Sequence, residues 1–262
     1  MSTIISEGPL LVSLENGIKT ITFNQPKKRN AINSESAYLM RDVILESQYD
    51  ESRVILLQGM GDHFCAGADL SSSQGSDFSM YKFLKTSYNP MISAMRNMDK
   101  IFIAKVKGSS VGVGCSFALA CDLTYCSPDT IFSQIFTHIG LSSDGGGSYF
   151  MGSKLGFKKA FELMAFHEKI PASMAEELGL VNKLIPAEEI DEYVNQVVQR
   201  IAGGPFIAIK HTKSNLRAAL THGLEAALEQ EAENQEVNAK TKDFMEGVSA
   251  FLQKRKANFK GE

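Results

Sequence analysis

The 262-residue sequence is most informative at first for what it lacks. No apolar run reaches membrane-spanning length, so no transmembrane helix is expected. The first residues, Met1 to Pro9, carry neither a charged n-region nor an apolar h-region, so no signal peptide is read. The chain ends Phe-Lys-Gly-Glu, which is not a peroxisomal address, and a cytoplasmic location is expected. Basic residues are not in excess: 27 Lys and Arg face 30 Asp and Glu, a net charge of −3. A general nucleic-acid binder would be basic, so none is expected here, and any phosphate recognition has to be local. There are only 4 cysteines, Cys65, Cys115, Cys121 and Cys126. They sit in apolar surroundings without metal-ligand spacing, as buried thiols of a reducing compartment do. The five histidines form no H-E-x-x-H pattern, so no metal site is expected. No G-x-G-x-x-G follows a strand, which removes the dinucleotide fingerprint. No internal repeat is evident.

What is present is an ordinary globular composition, 44% hydrophobic and 22% charged, which excludes disordered, collagenous and coiled-coil classes. Leu10 to Glu15 and Ile18 to Phe23 are expected to pair as a hairpin through Asn16-Gly17, a strong short-range turn signal. A helix is expected over Ser34 to Gln48. Buried strands follow at Val54 to Gln58 and Ile101 to Val106, each running into a glycine-containing loop. Strands alternating with helices predict an α/β fold. The polar, breaker-rich stretch Ser71 to Asp77 is expected to be a mobile loop, and Ser71 to Met80 to shape a pocket. After Pro205, a first-turn proline, only helices are expected: one up to Gly223, one over Leu224 to Ala239 and one over about Lys242 to Lys256.

Four clusters can carry chemistry. In Phe64-Cys65-Ala66-Gly67-Ala68-Asp69-Leu70, a turn of small residues leaves backbone N–H groups free to face a developing negative oxygen. Taken alone it reads first as a plain tight turn. Gly108 to Cys115 puts free N–H groups and a helix N-terminus at one spot. The same stretch satisfies G-x-S-x-G, which would make Ser110 a hydrolase nucleophile with Asp144 and His211 or His222. In Gly140-Leu141-Ser142-Ser143-Asp144-Gly145-Gly146-Gly147, a carboxylate between apolar segments is expected to have a raised pKa, useful in a general base. The alternative is a helix N-cap. Finally, Pro26-Lys27-Lys28-Arg29-Asn30 places three cations beside a proline turn, either a solvated loop or a phosphate contact.

Together these stretches resemble the crotonase, or enoyl-CoA hydratase/isomerase, superfamily over nearly the whole chain. Pro26-x-x-x-Asn30-Ala31-Ile32 is similar to its P-x-x-x-N-A-[LIM] signature. Phe64 to Leu70 resembles F-x-A-G-x-D-[LI], and Gly108 to Gly114 with Cys121-Asp122-Leu123 its glycine turn and C-D-[LI]. Ala175-x-x-x-Gly179-Leu180-Val181 resembles A-x-x-x-G-L-V. The resemblance implies a spiral of ββα turns over residues 1–200 and a C-terminal helical trimerisation region over 201–262, assembled as a trimer or dimer of trimers. It also implies that the N–H groups of Ala68 and Val113 form an oxyanion hole for the thioester carbonyl of an acyl-CoA. Lys28, Arg29, Ala31, Ala66, Ala68, Asp69 and Leu70 would contact coenzyme A, with Phe136 beside the substrate. Phe259 and Lys260 resemble a C-terminal segment that reaches a coenzyme A site, either of its own subunit or of a neighbour. Coenzyme A is then part of the substrate, and no separate cofactor is implied.

The reaction depends on the carboxylates. Hydratases of the family resemble one another in two glutamates; aligned by the glycine turn, Phe132 and Gly140, those positions hold Ser116 and Phe136. Neither transfers a proton as a carboxylate does. Asp144 remains, at a position that carries Asp or Glu in several Δ3,Δ2-enoyl-CoA isomerases and in epoxide-type isomerases of phenylacetate catabolism. A double-bond shift needs one base, so the expected activity is isomerisation of 3-enoyl-CoA to 2-enoyl-CoA with Asp144 as proton shuttle. Hydration, epoxide or ring isomerisation on a CoA thioester, a dehalogenase with a nucleophilic aspartate, and non-catalytic acyl-CoA binding are the alternatives. Dienoyl-CoA isomerases share the Asp144 position but add a glutamate where Phe136 stands.

Overall fold

The computed structural model describes residues 4–72 and 78–262. The chain opens with β1 (Leu10–Glu15) and β2 (Ile18–Phe23), paired antiparallel with Glu15 opposite Ile18. Asn16 and Gly17 both take positive φ, 50° and 75°, as a two-residue hairpin turn requires. Next come α1 (Ser34–Glu46), β3 (Val54–Gly59), α2 (Met80–Thr86), α3 (Tyr88–Asn97) and β4 (Ile101–Val106). Asn33 starts α1 with a capping box, its side chain accepting from the Ser36 N–H while Ser36 Oγ accepts from the Asn33 N–H.

After β4 the chain forms β5 (Ser109–Val111), α4 (Val113–Ala120), β6 (Leu123–Cys126) and β7 (Ile131–Ser133). The series continues with α5 (Gly147–Ala165), β8 (Ile170–Pro171), α6 (Ala172–Glu177), β9 (Lys183–Leu184) and α7 (Ile190–Ala202). It closes with α8 (Phe206–His222), α9 (Leu224–Asn238) and α10 (Lys242–Leu252).

A six-stranded sheet has the order β1-β2-β3-β4-β6-β9, parallel throughout except for the β1–β2 hairpin. A three-stranded sheet, β5-β7-β8, stands beside it. Alternation along β3 and β4 explains the layering. Ile55, Leu57, Phe102 and Ala104 face one core with α1, α3 and α4, whereas Val54, Leu56, Ile101 and Ile103 face a second core under α7. Strands covered on both faces read as continuous apolar runs, which is why both were visible in the sequence.

The boundaries differ in small ways. The helix expected over Ser34 to Gln48 stops at Glu46 and continues as a 3-10 turn, Ser47–Tyr49. Pro205 precedes α8 as its N-cap rather than opening the helix. The last helix ends at Leu252, not near Lys256: Lys254 takes a φ of 54° and Arg255 turns back onto Glu246, its guanidinium 2.6 Å from Oε1. Gly223, at φ 88°, separates α8 from α9 as expected. Residues 73–77 of the stretch read as a mobile loop lie outside the described residues. No helix among the described residues is long and apolar enough to cross a membrane.

Candidate active site

Three loops converge beyond the carboxyl ends of β3, β4 and β5. The first is Phe64 to Asp69, held by its neighbours on both sides. The Cys65 N–H donates to Ser109 O and the Val111 N–H to Cys65 O, both at 2.9 Å. On the other side, the Ile32 N–H donates to Gly67 O and the Asp69 N–H to Ile32 O, both at 2.8 Å. Because Gly67 O and the Asp69 N–H face Ile32, backbone alternation turns the intervening Ala68 N–H the opposite way. The second loop lies against this one: a methyl on Gly67 would stand 3.0 Å from Val111 O and 3.7 Å from the Gly112 Cα.

The second loop ends in Gly112, at φ 56°, which passes the chain into α4. Its own N–H donates to Ser133 O at 2.8 Å. Val113 is the first residue of the helix, so no carbonyl one turn earlier in the helix accepts its N–H. The helix dipole adds positive potential at the same point. Ala68 and Val113 are thus brought to facing loops.

Asp144 belongs to the third. Gly145 and Gly146 take φ of 57° and 80°, a left-handed pair that side chains resist. A methyl on Gly145 would stand 3.0 Å from Ser116 Cβ and 3.1 Å from Val113 Cγ2, so this turn lies directly on the first turns of α4. Ser116 fixes it there, its hydroxyl donating to Asp144 O at 2.9 Å. Gln134 donates to Ser116 Oγ at 3.3 Å and accepts from Ser143 Oγ at 3.0 Å, closing a small polar brace.

The Asp144 side chain takes no part in that brace, and it does not cap α5, whose N-cap is Gly146 without a side-chain bond. Its Oδ1 is buried with no hydrogen-bond partner among the described residues. Burial without a counter-charge raises its pKa to about 7. Facing the same turn is α3: Ile92 Cγ2 would be 3.3 Å from a methyl on Gly146. One helical turn before Ile92, Tyr88 packs edge-on against Phe83 and Phe117, with ring centroids 5.2 and 5.5 Å away. Burial, and then the charge of Asp144, push the ionisation of the Tyr88 phenol far up.

The proline turn docks on the first loop. The Ala66 N–H donates to Arg29 O at 2.9 Å, and the Asn30 side chain donates to Met60 O and His63 O at 3.0 and 2.6 Å. Lys28, Arg29, Ala31, Ala66 and Asp69 therefore share one rim. Lys28 Nζ is 2.7 Å from Asp69 Oδ2, and this bond with that from Ser71 lowers the Asp69 carboxyl to about 2. Leu70 lies just beyond, exposed, opening a 3-10 turn. Phe136 is buried on the turn Ile135–Ile139, its Cζ 3.9 Å from where a Gly112 methyl would be. It borders an apolar groove of about 300 Å³ with Gln134, Ser143, Phe157 and Phe161.

Phe259 and Lys260 are not brought to this site. The Lys260 N–H donates to Asp243 Oδ1, and Arg53 donates to Lys260 O, both at 2.7 Å. Arg53 precedes β3, so the tail lies at the amino end of the sheet, opposite the three loops. The hydrolase alternative fails on geometry. Ser110 is fully buried inside β5, without the left-handed backbone of an elbow, and its hydroxyl donates to Gly114 O at 3.3 Å. His211 is engaged by Asn238 at 2.7 Å. Cys65 and Cys115, raised to about 12 by burial, are not thiolates at neutral pH.

Known proteins are similar to this chain over nearly its whole length. The family model described as enoyl-CoA hydratase/isomerase matches residues 13–262. A Rhodobacter capsulatus protein named "Probable enoyl-CoA hydratase" is 31% identical over 248 residues, 95% of this chain and 96% of its own. The 1,2-epoxyphenylacetyl-CoA isomerase of Escherichia coli K12 is 28% identical over 258 residues, 97% of this chain and 98% of its own. Among solved structures, an enoyl-CoA hydratase from Polaromonas sp. JS666 superposes with a TM-score of 0.88 at 28% identity, covering 97% of this chain and all of that one.

Proposed function

From the premise that the chain belongs to the enoyl-CoA hydratase/isomerase family, an enzyme family of crotonase fold acting on acyl-CoA thioesters, we propose that it shifts a carbon–carbon double bond from C3 to C2 of an enoyl-CoA. The observation that carries this reading is Asp144, a lone buried carboxylate with Oδ1 unpartnered and a pKa near 7. In the proposed step the N–H groups of Ala68 and Val113 donate to the thioester oxygen. Asp144 takes a proton from C2, and the electron pair delocalises as a dienolate whose charge those two donors hold. The protonated Asp144 then returns the proton to C4. The donors help most when the oxygen carries its charge, which is when the barrier is highest.

Lys28, with its ammonium at the rim, and the backbone around Arg29, Ala31, Ala66 and Asp69 would receive the nucleotide end of coenzyme A. Phe136 would form an apolar wall. Because Phe259 and Lys260 sit at the far end of their own subunit, any role for them in coenzyme A binding would be at a neighbour's site in the proposed trimer. A second reading, hydration, is favoured by relatives named as hydratases. Against it, the Ser116 hydroxyl is committed to Asp144 O, and Phe136 offers water no acceptor.

Asp144→Asn tests the assignment. Turnover of 3-hexenoyl-CoA should fall by about 10³ or more, as loss of a general base does, while binding of saturated acyl-CoA stays within about threefold, a difference below 1 kcal/mol. Near wild-type isomerisation by that variant would refute the role given to Asp144.

A further inference from the structure

Tyr88 is 1% exposed, and its hydroxyl has no hydrogen-bond partner among the described residues. A phenylalanine would pack the same ring against Phe83 and Phe117 without leaving a buried polar group unpaired, and an unpaired buried hydroxyl is costly. The position of the ring is set by α3. Tyr88 and Ile92 are four residues apart and share a helix face, and Ile92 is the α3 side chain against Gly146, two residues past Asp144. The phenol is also near enough to Asp144 to feel its charge. On the face of α3 that packs on the Asp144–Gly146 turn there is thus a buried phenol that can donate, near a buried carboxylate oxygen that can accept, each without a partner among the described residues. They make no bond to each other, so a group between them is matched to both if it is a hydroxyl oxygen, or to Tyr88 alone if it is a bare acceptor.

We propose that Tyr88 is a specificity-determining residue, donating a hydrogen bond to an oxygen carried by the acyl chain past the reacting carbons, so that oxygen-bearing acyl thioesters are selected over plain hydrocarbon ones. The inference rests on the Asp144 site described above and narrows its substrate class. A site built to hydrogen-bond a substrate hydroxyl discriminates strongly against the analogue lacking it, because the buried donor is then left unpaired.

The test is binding rather than turnover. Dissociation constants of hexanoyl-CoA and of 5- and 6-hydroxyhexanoyl-CoA are measured by calorimetry on the wild-type protein and on Tyr88→Phe. One hydroxylated thioester should bind wild type about tenfold or more tightly than hexanoyl-CoA, and Tyr88→Phe should cut that ratio by about tenfold. Its melting temperature should not fall, since only an unpaired hydroxyl is removed. Absence of any preference in the wild-type protein would overturn the proposal without recourse to a variant, and so would a preference that survives in Tyr88→Phe. Saturated thioesters need no proton transfer, so this outcome is independent of the isomerase reading, which stands or falls on turnover by Asp144→Asn.

Discussion

At the scale of single residues, the account turns on one carboxylate. Asp144 holds its proton up to about pH 7 because burial penalises its charge and no cation compensates. The sign follows directly: below that pH the group is a neutral acid and cannot take a C2 proton, and above it the base is available. The kcat/KM for isomerisation should therefore rise about tenfold per pH unit below 7 and level off above it. A pH–rate profile checks this, and a profile flat down to pH 5 would exclude Asp144 as the base. Asp144 could be picked out in the sequence because a carboxylate followed by three glycines between apolar stretches is chemically conspicuous. Its brace could not. Ser116, Gln134 and Ser143 are ordinary polar residues separated in the chain and joined only by folding. Tyr88 escaped for a related reason: an aromatic residue on an apolar helix face reads as core, and nothing in the sequence reveals that its hydroxyl goes unpaired.

At the scale of elements, the site depends on how closely two turns can approach. Gly114, in the first turn of α4, has Cys65 O at 2.5 Å and Cys65 Cβ at 2.7 Å from where a side chain would begin. Gly114→Val should push α4 away from the Cys65–Asp69 loop, part the facing N–H groups, and cost about 2–4 kcal/mol of stability. Denaturant unfolding together with turnover of 3-hexenoyl-CoA measures both effects; unchanged stability would mean that the two turns are not held in contact. The larger elements were legible. The hairpin announced itself through Asn16-Gly17, and β3 and β4 through apolar runs bounded by glycine. The small sheet was not. Its strands Ser109–Val111, Ile131–Ser133 and Ile170–Pro171 are too short to show alternation. They are defined by partners found only after the chain has wound back on itself.

At the scale of the whole molecule, α8, α9 and α10 leave large apolar side chains in water. Leu220 is 69% exposed, Leu224 66% and Phe251 82%. A surface of that kind is characteristic of an interface, and we propose that these helices mediate the trimer. Light scattering coupled to size exclusion should return three times the 28.7 kDa chain mass or a multiple of it; a monomer at micromolar concentration would contradict the proposal. The tail at Phe259 and Lys260, which the resemblance linked to coenzyme A, shows that a motif does not say which subunit's site a residue can reach. Its position depends on Asp243 in α10 and on Arg53, 207 residues earlier, and that pairing carries it to the end of the sheet opposite the three loops.

The chemistry itself is decided by following 3-hexenoyl-CoA in deuterated water by NMR and mass spectrometry. A single buried aspartate predicts conversion to 2-hexenoyl-CoA without net addition of water, with exchange confined to C2 and C4. Accumulation of 3-hydroxyhexanoyl-CoA, or no conversion to the 2-enoyl isomer at all, would contradict it.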